Sequence, residues 1–362
     1  MSAPPAKATA APGAARVLRV LGTGGTIAGR AARADDLVGY QAGVVPVQAL
    51  LQGQPVPPGW TLQAAQVASL DSKDMTLAVW RALLQAVHAA LHDPEVGAVL
   101  VTHGTDTLEE TAWLLQAALA PAKPVVLTGA MRPATALAPD GPQNLADAVT
   151  LATDAVLQAA GGVWVTLAGR VFDAAVVRKV HPTRVDAFGG GDAGAAAWVE
   201  GGRVRWLLEP AARLAALARL AGRPEPTALP TLWQAPAWPR VEWITSHAAA
   251  DGALVRALLA QRRAAQAGQD SDAPLAGLVV AGTGNGSLHA ALADALRQAA
   301  AEGVAVWITT RCAEGEVLPP TPGRDAAGWT LTPLPPAKAR ISLMLALLQQ
   351  PDRLAGQQAL PA

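Results

Sequence analysis

Hydrophobic positions along the chain fall into short β-branched runs, each followed by a Gly/Thr-rich turn and then a stretch of helical periodicity. Val17–Leu21 leads into Gly22–Gly25, Ala98–Thr102 into His103–Asp106, and Pro124–Leu127 into Thr128–Arg132. The pattern returns as Leu278–Ala281 into Gly282–Ser287 and as Val304–Thr309 before Arg311. Strands alternating with helices predict a parallel α/β architecture. Sites in such sheets form at the carboxyl ends of strands, where these turns lie. Thr107 and Glu110 have capping-box spacing ahead of an apolar stripe of Leu108, Ala112, Leu115 and Leu119. Asp140-Gly141-Pro142 marks a turn before a helix expected over Leu145–Leu157.

The pattern breaks between Pro210 and Pro239, where an Ala/Leu/Arg stretch runs into Pro224, Pro226, Pro230, Pro236 and Pro239. The expected organisation is a disordered Ala/Pro-rich leader over 1–15, a catalytic α/β domain over 16–209, an interdomain connection over 210–239, and a second α/β domain over 240–362 that starts at Val241–Thr245. A length of 362 residues suits two domains at roughly 150 residues each. Pro4, Pro5 and Pro12 interrupt the leader before any apolar core of a secretory signal can form, so the expected compartment is the cytoplasm. No apolar run approaches the roughly 20 residues that span a bilayer, so no membrane role is expected.

Composition narrows the classes. Hydrophobic residues reach 51% and charged residues only 15%, which excludes a disordered chain. The 28 basic and 28 acidic residues balance, leaving no electrostatic footprint for nucleic acid. Cys312 is the single cysteine, so neither an intrachain disulfide nor a zinc ribbon can be built; it reads as a buried thiol. The six histidines show no metal-ligand spacing, and no metal is assigned. Among 11 Trp and 2 Phe there is one tyrosine, Tyr40, and lysine occurs only at Lys7, Lys73, Lys123, Lys179 and Lys338.

Gly22-Thr23-Gly24-Gly25-Thr26-Ile27-Ala28-Gly29 follows the first strand. A dinucleotide fingerprint would need glycine where Ile27 stands. The glycines permit a tight turn, and Thr26 can offer a hydroxyl in a backbone-rich pocket; a purely structural strand–helix turn accounts for the motif equally well. Thr102-His103-Gly104-Thr105-Asp106-Thr107-Leu108-Glu109-Glu110 places a hydroxyl and a carboxylate beside backbone N–H groups able to stabilise an oxyanion, or simply caps a helix. A threonine hydroxyl needs a nearby base to act as a nucleophile. Asp71-Ser72-Lys73-Asp74-Met75 alone reads as a charged surface loop, and Arg178-Lys179-Val180-His181 as a solvated patch.

Taken together with Gly129-Ala130-Met131-Arg132-Pro133 and Asp140-Gly141-Pro142-Gln143-Asn144-Leu145, these motifs are far more specific. Their order resembles the bacterial-type L-asparaginase family, close to its type II and glutaminase-asparaginase branch. The similarity continues through Gly282–Ser287 and Lys338-Ala339-Arg340-Ile341 to Leu347. The resemblance implies a larger N-terminal α/β domain with a mainly parallel sheet and a smaller C-terminal α/β domain. It implies hydrolysis of L-asparagine, with L-glutamine as a second substrate, no cofactor, and a homotetramer of intimate dimers. Thr26 matches the family nucleophile and Tyr40 the lid tyrosine that activates it. Thr105, Asp106 and Lys179 match the second catalytic group. Asp106 also matches the substrate-ammonium contact, Ser72 the α-carboxylate contact, and Ser287 a position that serves a neighbouring subunit's site.

Three departures stand out against that pattern. Lys73 stands where many relatives carry Gln or Glu at the substrate ammonium. The loop Glu314-Gly315-Glu316-Val317-Leu318-Pro319-Pro320 replaces one whose acidic residue reaches a partner's site. His181 replaces a common Asn. Against the asparaginase reading stand a glutaminase-asparaginase of broad preference and a weakly catalytic binding protein for acidic amino acids. A nucleotide-dependent oxidoreductase is disfavoured by Ile27.

Overall fold

The computed structural model describes residues 15–221, 232, 233, 235, 237–318 and 329–349. Residues 1–14 of the expected leader, 222–231 of the expected connection, and Pro319 and Pro320 lie outside the described residues. The chain divides into two compact units, with the division in sequence between Leu217 and Ala218.

The first unit is built on an eight-stranded sheet. Its strands are β1 (Arg16–Gly24), β2 (Trp60–Leu70), β3 (Val96–Thr102), β4 (Val125–Thr128), β5 (Val163–Leu167), β6 (Arg170–Asp173), β9 (Ala197–Glu200) and β10 (Arg203–Trp206). The spatial order is β10-β9-β6-β5-β4-β3-β1-β2. From β2 to β5 all pairings are parallel; β6, β9 and β10 extend the sheet antiparallel. Two residues each of β7 (Arg178–Lys179) and β8 (Phe188–Gly189) form a separate antiparallel hairpin.

Every residue of β3, β4 and β5 is buried, as expected of parallel strands covered on both faces. Leu18, Val20, Ala98, Leu100, Val126 and Trp164 form one cluster with Leu145, Ala148, Val149 and Leu151 of helix α4 (Gly141–Thr153). The alternate strand residues, including Val99, Val101, Leu127 and Val165, are buried as well. Helices α2 (Leu77–His92) and α3 (Leu108–Leu119) contact the sheet and each other outside that cluster and so cover the other face. In α2, Trp80, Leu83, Leu84, Val87 and Ala90 fall at helical spacing on the buried side. Its start is capped by the Thr76 side chain, which accepts from the Val79 N–H.

Several local expectations change. The helix expected over Leu145–Leu157 begins at Gly141 and is broken at Asp154. There the backbone becomes extended, and the Asp154 carboxylate caps a new helix, α5 (Ala155–Ala160), by accepting from Leu157 N–H. The capping box at Thr107 does not form, because the Thr107 hydroxyl donates to the Ser72 carbonyl instead. The stretch expected to open the connection is helical from Pro210 to Ala221 (α6; α1 is the short turn Val47–Leu50). It is tied to the first unit by Arg213, which ion-pairs with Asp173.

The second unit holds a four-stranded parallel sheet of β11 (Arg240–Thr245), β12 (Leu275–Gly282), β13 (Ala305–Thr310) and β14 (Thr330–Leu331), in that order. Helices α7 (Ala253–Gln266) and α8 (Ala290–Ala301) bury Val255, Leu259, Leu292 and Leu296 against Leu278, Val280 and Ile308. Helix α9 (Pro336–Gln349) also packs on β11, β12 and β13. Among the described residues no helix is long and apolar enough to cross a membrane.

Two buried polar groups carry testable energetics. Asp173 has no exposed side-chain surface and accepts from the Arg213 guanidinium and from the Ala175 and Val176 N–H groups. Asp173→Ala leaves that guanidinium unpaired, and we expect a loss of about 3 kcal/mol in urea unfolding. His103 is fully buried in a directed chain. Trp80 Nε1–H donates to Thr111 Oγ1 at 2.9 Å, so the Thr111 hydroxyl donates to His103 Nε2 at 2.9 Å, and His103 Nδ1–H donates to the Gly104 carbonyl at 2.7 Å. Burial pulls the His103 pKa from 6.5 down to about 4. As pH falls through this window the unfolded chain takes up a proton that the folded chain refuses, so stability falls. Urea titrations across that window should show a His103-dependent loss on the order of 3 kcal/mol, absent in His103→Gln.

Candidate active site

Strands β2, β1 and β3 are adjacent and parallel, so the loops leaving their carboxyl ends emerge together. Gly22 pairs with Thr102, and Gly24 with Leu70. At this edge the backbones touch. Gly25 has φ 81°, and a Cβ on it would lie 2.2 Å from Gly104 Cα. A Cβ on Gly104 would lie 2.5 Å from Ser72 Oγ. Only glycine permits such an approach. The Gly25 N–H donates to the Leu70 carbonyl at 2.8 Å and ties the first loop to the second. The next residue after each glycine is a threonine, so the contact brings the Thr26 and Thr105 segments and Ser72 to one place.

Thr26 opens a single 3-10 turn, Thr26–Ala28, and is buried. Its Oγ1 lies 2.5 Å from the Tyr40 hydroxyl. Tyr40 arrives on a loop whose base is closed by reciprocal hydrogen bonds between Arg30 and Gln41, at 3.0 and 2.9 Å. The Gly129–Pro133 motif supports that base. Asp140 accepts from the Met131 and Arg132 N–H groups, both at 2.9 Å. Just beyond, Ala134 N–H donates to the Gly29 carbonyl, and Thr135 Oγ1 accepts from Ala31 N–H at 2.8 Å. Burial, opposed by the Thr26 hydrogen bond, pushes the Tyr40 pKa above its usual 10.0; Asp71 and Asp106 push it further, and Lys73 opposes them. Tyr40 is therefore a neutral phenol at physiological pH.

Thr105 is buried, and its Oγ1 accepts from Lys179 Nζ at 2.9 Å. The same ammonium reaches Asp106 Oδ1 at 2.6 Å. The Lys179 side chain is 17% exposed and that of Asp106 50%, so the ammonium is withdrawn while the carboxylate faces solvent. Arg178-Lys179 is thus no solvated patch. Ser72 is also no surface residue: it is buried, and its Oγ accepts from the Asp106 N–H at 3.1 Å. Lys73 does project outward, 60% exposed, held by Asp74 at 2.6 Å and Asp71 at 3.6 Å. The Asp74 hydrogen bond is the main cause that raises its pKa.

The other expected positions have a different character. Ser287 is exposed on a turn of the second unit, bridged to Thr283. Glu314 and Glu316 are exposed in the loop after β13. Cys312 is exposed rather than buried, because it follows the end of β13 into that loop. His181 Nδ1 accepts from the Thr183 and Arg184 N–H groups and so shapes the turn after Lys179. Sequence reasoning assigned no role to Glu109, whose carboxylate accepts from the Lys179 N–H. The available signal was its place in the first turn of the helix that follows Thr105. Among the described residues no three His, Cys, Asp or Glu side chains gather into a group able to hold a metal.

Comparison with known proteins places the chain in a family. Residues 17–212 match the family model described as Asparaginase, N-terminal, and residues 240–360 match the Glutaminase/Asparaginase C-terminal domain. L-asparaginase 2 of Escherichia coli (strain K12) is 33% identical over 341 residues, which is 92% of this chain and 90% of that protein. Probable L-asparaginase periplasmic of Haemophilus influenzae is 32% identical over 348 residues, covering 94% of this chain and 91% of its own. The crystal structure of probable cytoplasmic L-asparaginase from Campylobacter jejuni superposes with a TM-score of 0.77 at 30% identity, covering 94% of this chain and 98% of that one. With both family models matched in order and relatives similar over nearly its whole length, the chain belongs to the asparaginase family.

Proposed function

We propose that the protein is an amidohydrolase that converts L-asparagine to L-aspartate and ammonia, with L-glutamine a weaker substrate. The observation that carries this reading is the pairing of two buried threonine hydroxyls, each with its own partner, on backbone segments in contact: Thr26 with Tyr40, and Thr105 with Lys179 and Asp106. In the proposed reaction Thr26 Oγ attacks the side-chain amide carbon, and backbone N–H groups beside Thr105 receive the oxyanion. The C–N bond breaks, ammonia leaves with a proton from the site, and a threonine ester remains. Water, activated through Thr105 and Lys179, then hydrolyses the ester and restores Thr26. Tyr40, a neutral phenol, relays the Thr26 proton as donor and acceptor rather than serving as a ground-state base. Ser72 and Asp106 take the substrate α-carboxylate and ammonium.

A second reading exchanges the threonines. Lys179 Nζ stands 2.9 Å from the Thr105 hydroxyl, close enough to take its proton once the ammonium has passed a proton to Asp106, and this proximity favours Thr105 as the first nucleophile. Mass spectrometry of the trapped acyl-enzyme separates the two by the peptide that carries the aspartyl group. We further propose a homotetramer, in which the exposed Ser287 turn serves the site of a neighbouring copy; light scattering at four times the chain mass checks the stoichiometry.

Side-by-side ammonia release from L-asparagine and L-glutamine tests the activity. Thr26→Ala and Thr105→Ala should each lower kcat at least about a thousandfold with unchanged circular dichroism; substantial residual turnover in either removes the two-threonine mechanism. Lys73 follows Ser72, whose Oγ accepts from the Asp106 N–H, and so adds a cation to the loop proposed to hold the substrate; Lys73→Gln should lower KM for asparagine with little change in kcat. An unchanged or higher KM shows that the Asp71 and Asp74 carboxylates already keep Lys73 from opposing the substrate.

A further inference from the structure

We infer that Glu109 is a positioning residue for Lys179: its carboxylate fixes the lysine main chain so that the ammonium meets the Thr105 hydroxyl. The inference rests on the proposed role of Lys179 beside Thr105.

Lys179 sits on β7, which pairs only with β8 and belongs to neither large sheet. Its place over the site is therefore set by the short connection from β6, where the Val177 N–H donates to the Asp173 carbonyl at 3.2 Å, and by side-chain ties to neighbouring elements. Arg170 of β6 donates to the Phe188 carbonyl at 3.0 Å and steadies the β8 side of the hairpin. On the β7 side, the Lys179 N–H donates to Glu109 Oε2 at 2.5 Å. Glu109 lies in the first turn of α3, where the helix dipole favours a carboxylate. Thr105 and Asp106 immediately precede the same helix. The short segment from Thr105 to Glu109 thus grips Lys179 at two points, the main chain through Glu109 and the ammonium through Thr105 at 2.9 Å and Asp106 at 2.6 Å. The distance from Nζ to the threonine is then held within five consecutive residues of the sequence.

The two grips are not equivalent. Asp106 is half exposed, so its carboxylate can follow an ammonium that drifts. The Thr105 hydroxyl is buried and cannot follow. Loss of the Glu109 tie therefore keeps the Lys179–Asp106 ion pair and spoils the Lys179–Thr105 contact. The expected consequence is lost turnover with retained substrate affinity, since small misplacements of a reacting group cost rate steeply.

The test is steady-state ammonia release from L-asparagine with thermal melting in parallel. Glu109→Ala should lower kcat about tenfold and leave KM within about twofold. Glu109→Gln keeps a carbonyl acceptor at the same reach and should restore kcat to within about twofold of the unmodified enzyme. Glu109→Asp retracts the acceptor by one methylene and should lower kcat about threefold or more; it carries the test if the alanine variant does not fold. Wild-type kcat in Glu109→Ala, or in Glu109→Asp, overturns the inference, as does a glutamine variant as impaired as alanine. Lys179→Met separates the two levels. If it keeps wild-type turnover, the catalytic reading of Lys179 fails; if it is inactive while Glu109→Ala is not, only the positioning inference fails.

Discussion

The candidate site depends on one close approach, the backbone of Gly25 lying on that of Gly104. No side chain fits between them, since a Cβ on Gly25 would sit 2.2 Å from Gly104 Cα. Parallel pairing of β1 with β2 and β3 delivers the loops to the same edge. Pairing alone would leave them a side chain apart. The glycines remove that layer, and the backbone segments that carry the following threonines meet as a result. Ser72 completes the contact from β2, its Oγ only 2.5 Å from where a Gly104 Cβ would stand.

Around this contact the two hydroxyls meet opposite electrostatic surroundings. Thr26 faces a phenol whose ionisation is disfavoured by burial. Thr105 faces an ammonium that shares itself with a carboxylate. The proposed two-step reaction suits such a division. The remaining charges sit outward: Lys73 is confined by Asp71 and Asp74 on the solvent side, while Ser72 beneath them contributes a buried hydroxyl.

The fold was legible where a single periodicity governed a segment. Val17–Leu21 and Ala98–Thr102 stand within β1 and β3, because parallel strands covered on both faces are mostly apolar; Arg19, the exception in the first run, pairs with Asp93. The break at Asp154 was less visible, since the apolar spacing runs on through Val156 and Leu157 while a local carboxylate cap restarts the helix. Thr107 misled for a related reason. Its spacing to Glu110 fits a capping box, but a carbonyl from another loop, that of Ser72, competes for its hydroxyl. The edge strands β6, β9 and β10 are short and partly exposed, so their pattern carries little signal. At the site, Asp71–Met75 and Arg178–His181 read alone as solvated charge. In each, one residue is drawn inward by a tertiary partner that no local window contains, Ser72 by Asp106 and Lys179 by Thr105.

The Thr26–Tyr40 contact has a spectroscopic consequence. Tyr40 is the only tyrosine in the chain, and its loop is anchored at both ends by the Arg30–Gln41 bridge. Isotope-labelled or fluorinated tyrosine would therefore enter the whole molecule at one position, beside the candidate nucleophile. Its ring signals need no assignment by mutagenesis, and nothing elsewhere in the chain can overlap them. Composition has left this protein with an intrinsic reporter of the Thr26–Tyr40 contact.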